Sequence, residues 1–234
     1  MTIAANSLDF QCYPLGDSAV IIQFDDKISL AINQKIGAIC RFLDEYTFEG
    51  FIEYVPAFSS IAIYYQPDKV SYQELEEMIE EMMSSLSDSD AIPPSPVIEI
   101  PVMYGGEWGP DLDFVAAHNK LSPEDVISIH SNTDYLVYMI GFAPGFPYLG
   151  GMDERIATPR RDNPRASIFP GAVGIGGMQT GVYPIETPAG WQIIGRAKVD
   201  LFDKESEHPV LLKAGDRVRF VPVEAELLSD EYGI

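Results

Sequence analysis

Residues 135–152 read YLVYMIGFAPGFPYLGGM, and the fold turns on how this stretch is understood. It carries no charge, and its length approaches the roughly 20 apolar residues that span a bilayer. Yet Gly141, Gly145, Gly150 and Gly151, with Pro144 and Pro147, interrupt it at positions where a helix would break. A spanning helix is excluded. Downstream, 172–175, 192–195 and 217–223 are brief apolar runs between turns, and no long helical period returns. That pattern marks a small barrel or sandwich. Upstream, 97–104 reads as a strand leading into Gly105-Gly106, followed by two short helices over 111–119 and 122–131.

Further toward the amino terminus the character changes. Strands are expected at 10–13 and 19–24, joined by the turn Pro14-Leu15-Gly16-Asp17, and at 50–55 and 60–65, split by Pro56-Ala57-Phe58-Ser59. Ser29 can cap a helix whose apolar positions Leu30, Ile32, Ile36, Ile39, Cys40 and Leu43 repeat at three-and-four spacing. Ser71 opens a second, with Glu74 in capping-box position and Leu75, Met78, Ile79 and Met82 along one side. The order β-α-β-β-α-β describes a ferredoxin-like sandwich. Residues 84–96 are rich in Ser, Asp and Pro and read as a linker, which divides the chain near residue 92 into domains 1–92 and 93–234. The fold class is α+β.

At 234 residues, with 46% hydrophobic and 22% charged, the chain is in the ordinary soluble class and long enough for two cores. A net charge of -21 repels nucleic-acid phosphates and anionic lipid, so neither is an expected partner. The two cysteines, Cys12 and Cys40, lack metal or redox spacing, and 1–10 has no signal-peptide pattern. The cytoplasm is the expected compartment.

The glycine loop 171–177 fails as a dinucleotide fingerprint because Gln179 stands where the last glycine belongs, and no Gly-Lys dipeptide supports a Walker loop. His118, His130 and His208 have no second ligand at metal spacing, so no metal site is expected. A serine-hydrolase elbow is also absent. What stands out is Arg155, Arg160, Arg161 and Arg165, within eleven positions holding Asp162 as the only counter-charge. Guanidinium forks bind carboxylate and phosphate in a bidentate way. Pairing with surface carboxylates is the alternative. Beside them, Phe142, Phe146 and Tyr148 alternate with Gly and Pro, which suits either a pocket wall or a barrel corner. His130, at the end of a helical run, is either a structural hydrogen-bonding residue or an acid, base or anion donor.

Taken together, PVMYGGEWG (101–109), His130-Ser131, 135–151, Thr158-Pro159-Arg160, Pro164-Arg165, QTGVYP (179–184), GWQIIGR (190–196) and Gly215-Asp216 resemble the KipI family. This is the family of the 5-oxoprolinase B subunit, also called allophanate hydrolase subunit 1. The resemblance implies a ferredoxin-like first domain and a cyclophilin-like β-barrel second domain. It also implies an enzyme component that works with a C subunit to phosphorylate 5-oxoproline using ATP, an A subunit completing ring opening to glutamate. Carried onto this sequence, Arg160 and Arg165 would hold the substrate carboxylate or the transferred phosphoryl group. His130 and Gln179 would offer hydrogen bonds, and Phe142, Phe146, Tyr183 and Trp191 would wall the pocket. The family pattern is altered at Ala172, Ala189 and Ala197, the first removing a hydroxyl from the glycine loop. Two other readings stay open: an inhibitor that binds a sporulation histidine kinase, and a component acting on urea or allophanate. A homodimer within a larger assembly is compatible with each.

Overall fold

In a computed structural model the chain forms two compact units, Met1–Pro93 and Pro94–Ile234; the described residues are 9–25, 29–86 and 96–224. The first unit comprises β1 (Gln11–Pro14), β2 (Ala19–Gln23), α1 (Leu30–Glu45), β3 (Phe51–Pro56), β4 (Ser60–Tyr65) and α2 (Tyr72–Ser85). Most of the expected linker, 87–95, lies outside the described residues, and Ser84 and Ser85 close α2.

The sheet is antiparallel throughout, in the order β1-β2-β4-β3. Because β2 and β3 both run against β4, which lies between them, β2-α1-β3 is the split β-α-β unit of ferredoxin-like folds. One element departs from the expected order. The edge strand beside β2 is β1, which precedes it in the chain, instead of a strand following α2. An edge strand needs only one hydrogen-bonded neighbour, and the tight turn between β1 and β2 supplies it from the amino-terminal side.

Ile61, Ile63 and Tyr65 point inward at alternate positions of β4, as Val20 and Ile22 do on β2. They meet Ile32, Ile36, Ile39 and Leu43 of α1 and Leu75, Ile79 and Met82 of α2. Each such aliphatic side chain contributes about 1.5–3 kcal/mol when fully buried. Ser29 accepts the Ile32 N–H, and Ser71 with Glu74 forms the reciprocal cap read from the sequence. Cys12 and Cys40 are free and partly buried, and burial pushes their thiols up to about 11 and about 12. Neither is poised as a nucleophile.

The second unit begins with β5 (Val97–Tyr104), α3 (Leu112–Asn119) and α4 (Pro123–Ser131), then β6 (Tyr135–Ile140) and β7 (Pro147–Gly150). It continues through β8 (Arg165–Ile168), β9 (Ala172–Gly176), β10 (Gln179–Val182), β11 (Thr187–Ala189), β12 (Gln192–Ala197) and β13 (Arg217–Pro222). The order β10-β7-β6-β13-β5-β12-β9 closes into a barrel, while β8 and β11 form a separate ribbon. β5 and β13 are parallel, and the other barrel pairs are antiparallel. The uncharged stretch at 135–152 is therefore a hairpin of this barrel. Its Tyr135, Val137 and Leu149 join Ile100, Val102, Val173, Ile175, Val218 and Phe220 in one core, which α3 and α4 cover through Val115 and Val126. Among the described residues no helix is long and apolar enough to cross a membrane.

Candidate active site

The loop between β5 and α3 is laid against β12. Gly105 N–H donates to the Ile194 carbonyl at 3.0 Å, and Asp111 N–H to that of Ile193 at 2.9 Å. Gly109 permits this approach, since a Cβ there would lie 2.1 Å from the Ile194 oxygen. Asp111 thus arrives at the start of α3 buried, 5% exposed, yet its carboxylate does not cap the helix. Its Oδ2 accepts the Ile193 N–H at 2.6 Å, and its Oδ1 accepts from Arg161 Nη1 at 3.0 Å and Arg165 Nη2 at 2.8 Å. One carboxylate facing two guanidinium groups leaves the trio net positive. Moreover, Arg165 Nη1 is buried and finds no acceptor among the described residues. A buried donor in that condition points to a ligand or water that completes it.

Next to this trio is a cavity of about 150 Å³ lined by Phe142, Phe146, Tyr148, Arg160, Tyr183 and Trp191, among others. Its rings meet edge to face, Phe146 with Tyr183 at 5.2 Å and with Trp191 at 5.7 Å between centroids. Trp191 can lie against β9 because Gly176 has no Cβ, which would otherwise sit 2.5 Å from the indole Nε1. Phe142, at the tip of the β6–β7 turn, is in the left-handed region at φ 67° and is 64% exposed. For a bulky residue that conformation costs on the order of 1–2 kcal/mol, and here it sets the ring at the cavity edge. Burial pushes the Tyr183 phenol up to about 12 against the opposing pull of Arg160 and Arg165. A cavity of about this volume accommodates one benzene-sized ring.

Arg160 stands 5.8 Å above the Trp191 ring. It also borders a second, more polar cavity of about 440 Å³, where Asp111, Arg161, Asp162, Asn163 and Gln192 converge. One guanidinium is therefore shared between an aromatic hollow and the arginine-rich one.

The four clustered arginines do not act as a block. Arg155 is bound to Asp153 on an exposed turn, with Nη2 at 2.6 Å from Oδ2. Arg161 and Arg165 converge on Asp111, and Arg160 alone lines the aromatic cavity. The four ring residues expected to wall a pocket, Phe142, Phe146, Tyr183 and Trp191, do share one. Gln179 is half-buried at the start of β10 and lines neither cavity.

His130 is placed differently from an acid or base. It is fully buried, stacked on Phe220 at 4.6 Å. Burial pulls its pKa down to about 3, so the ring is neutral. Thr180 Oγ1 donates to the Gly174 carbonyl at 3.0 Å, which leaves it an acceptor for His130 Nε2–H at 2.8 Å. Nδ1 then accepts from the Tyr104 hydroxyl at 2.7 Å, a phenol whose own pKa burial raises well above 10. Both ring nitrogens are engaged within the protein, so His130 has none to offer a substrate in this conformation, and its observed position fits the structural reading.

Asp111 was not legible as a site residue, because its partners lie 50 and 54 positions away and its local context is that of a helix start. Arg196 lines neither cavity; its guanidinium lies 4.6 Å from the Trp108 ring and 5.3 Å from that of Phe169.

The chain thus carries two units in sequence, a split β-α-β sandwich and a closed barrel with an arginine-lined cavity, and the class of protein they belong to is that of carboxyltransferase-type domains. Residues 10–212 match the family described as carboxyltransferase domain, subdomain C and D. The chain belongs to that family, in the branch of the 5-oxoprolinase B subunits. It is 46% identical over 224 residues to the 5-oxoprolinase B subunit of Bacillus subtilis (strain 168), covering 92% of this chain and 93% of that one. Among solved structures it is similar to TTHA0988, at a TM-score of 0.78 and 34% identity, over 88% of this chain and 40% of that one. The Kluyveromyces lactis urea amidolyase shares the fold at a TM-score of 0.76 and 21% identity, over 97% of this chain and 15% of that one.

Proposed function

We propose that this chain is the B subunit of an ATP-dependent 5-oxoprolinase, acting with a C subunit to phosphorylate 5-oxoproline and with an A subunit to open the ring to L-glutamate. The observation that carries this reading is the position of Arg160, which borders both the ring-sized aromatic cavity and the arginine-rich cavity. The five-membered lactam ring lies among Phe146, Tyr183 and Trp191, and its carboxylate takes the Arg160 guanidinium. Arg165, held through one nitrogen by Asp111, lines neither cavity and adds positive charge behind Arg160 and Arg161. A lactam carbonyl resists water because its nitrogen donates into it. Transfer of the terminal phosphoryl group of ATP to the lactam oxygen forms a P–O bond, releases ADP and gives the ring carbon a phosphate leaving group. Fixed guanidinium donors stabilise the charge of that step. His130 supports the barrel wall in this scheme. With no phosphate loop in the sequence, the chain alone is not expected to hydrolyse ATP.

The test is reconstitution. The purified chain is mixed with its A and C subunits, and glutamate formation from 5-oxoproline is followed with and without ATP. ATP-dependent glutamate that requires this chain supports the reading. Turnover of allophanate in place of 5-oxoproline, or full activity without the chain, overturns it.

A further inference from the structure

The first unit holds a cavity that the barrel chemistry leaves unused. Between α1 and α2 opens a cleft of about 600 Å³, four times the volume of the aromatic cavity. Its lining includes Ile63 of β4, Phe42 and Tyr46 at the end of α1, Phe48, and Met78 and Met82 of α2. Tyr46 and Met78 stand 58% and 43% exposed. Methionines beside aromatic rings make a surface that adapts to different apolar side chains. Glu81 lines the same cleft, and α2 also carries Glu74, Glu76, Glu77 and Glu80 with no Lys, Arg or His. Residues 1–93 hold 16 Asp and Glu against 4 Lys and Arg, a formal charge of -12.

These features narrow the occupant. A second copy would bring the same negative charge to the cleft, and an anionic lipid surface is repelled for the same reason. A small neutral apolar ligand would make no use of the carboxylates. We infer that the cleft docks an amphipathic helix of a partner protein, its apolar face filling the space between α1 and α2 and its Lys or Arg flanks facing Glu81, which lines the cleft, and Glu77 one helical turn before it. This is the helix-in-groove mode, with anchors at helical spacing. It stands independently of the catalytic reading.

The probe is a fluorescein-labelled Leu/Lys peptide of about 18 residues, five turns, with leucines on one helical face. Titrated with the full chain, it should give saturable anisotropy, weakening as salt is added. The double variant Tyr46→Ser/Met78→Gln keeps the charge and alters two exposed side chains, so its circular dichroism should match the parent. Its affinity should fall about tenfold. Glu77→Gln/Glu81→Gln should weaken binding about threefold to tenfold, through the on-rate. Equal binding of a scrambled peptide of the same composition, or binding unchanged in Tyr46→Ser/Met78→Gln, reduces the effect to attraction by an acidic surface and overturns the proposal. So does equal binding of a Leu/Glu peptide, or failure to saturate at millimolar peptide. Self-association in sedimentation that Tyr46→Ser/Met78→Gln abolishes would assign the cleft to a second copy instead.

Discussion

The barrel unit buries two polar hubs, and they are built in opposite ways. At His130 each ring nitrogen has one partner, the hydroxyls of Tyr104 and Thr180 complete the circuit, and Phe220 stacks on the ring. At Asp111 a single carboxylate serves two guanidinium groups and a backbone N–H, and one arginine nitrogen is left over. The first hub is neutral and closed. The second carries surplus positive charge and opens on a cavity. Both are buried polar groups, which low dielectric makes costly unless satisfied. Complete satisfaction fits a hub that holds the fold, whereas surplus positive charge beside a cavity, with a donor left over, fits one that takes an anion.

Removing the centre of each hub is the most forceful way to break this contrast. Asp111→Ala strands two partly buried cations and the Ile193 N–H, and loss of one partner from such a cluster costs about 3–5 kcal/mol. Because Arg161 and Arg165 keep side-chain exposures of 34% and 22%, the lower end is expected. Urea denaturation measures it. Added phosphate or sulfate should restore part of the lost stability in this variant, because the released guanidinium groups then accept an anion; no recovery would argue that the cluster has no affinity for anions.

His130→Ala leaves the Tyr104 and Thr180 hydroxyls short of a partner and opens a void against Phe220, for about 2–4 kcal/mol. Anions should add no more stability here than they add to the parent, whereas in Asp111→Ala the gain should exceed the parent's. The hub also predicts a pH response. Its folded pKa lies near 3, below the ordinary value of 6.5, so the unfolded chain binds the proton first. The stability from His130 is complete above about pH 6.5 and is progressively lost as pH falls toward 3. Denaturant midpoints between pH 7 and pH 4 should fall less steeply in His130→Gln than in the parent, and parallel slopes would contradict the sealed, neutral ring.

The contrast also explains what the sequence could disclose. The capped helices were visible because Ser29, and Ser71 with Glu74, act on neighbours within four residues. The absence of a spanning helix over 135–152 was legible because glycine and proline punctuate it locally, whereas its hairpin pairing was not. Phe142 and Phe146 stood out through the Gly and Pro around them, but Tyr183 and Trp191 came from the family resemblance, since Phe142 and Trp191 are brought together only when the barrel closes. Neither route reached Asp111, whose role depends on the Gly109 approach to β12 and on partners from a distant loop. Nor does local sequence place β1 on the sheet edge, because pairing partners are chosen by tertiary packing.

Arg160 sharpens the comparison by separating function from stability. It is exposed and contributes to neither hub's closure, so Arg160→Ala should change stability by less than about 0.5 kcal/mol. In the reconstituted enzyme the same substitution should lower kcat/KM for 5-oxoproline about tenfold to a hundredfold, the value of a charge-assisted hydrogen bond. Stability loss without a kinetic change would reverse the assignment.

The smallest effect tests what Arg160 contributes beyond its charge. Arg160→Lys keeps one positive charge near Trp191 but loses the flat fork that can stack on the ring and grip two carboxylate oxygens at once. A stacked cation at an exposed site is worth about 0.5–1 kcal/mol, so KM for 5-oxoproline should rise about twofold to fivefold. If Arg160 binds the ring's carboxylate equally in the ground state and the transition state, kcat should stay near the parent value. A drop confined to kcat would instead place this guanidinium on the transferred phosphoryl group. That outcome would move the reacting oxygen from the aromatic cavity to the side where Arg161 and Asp111 meet.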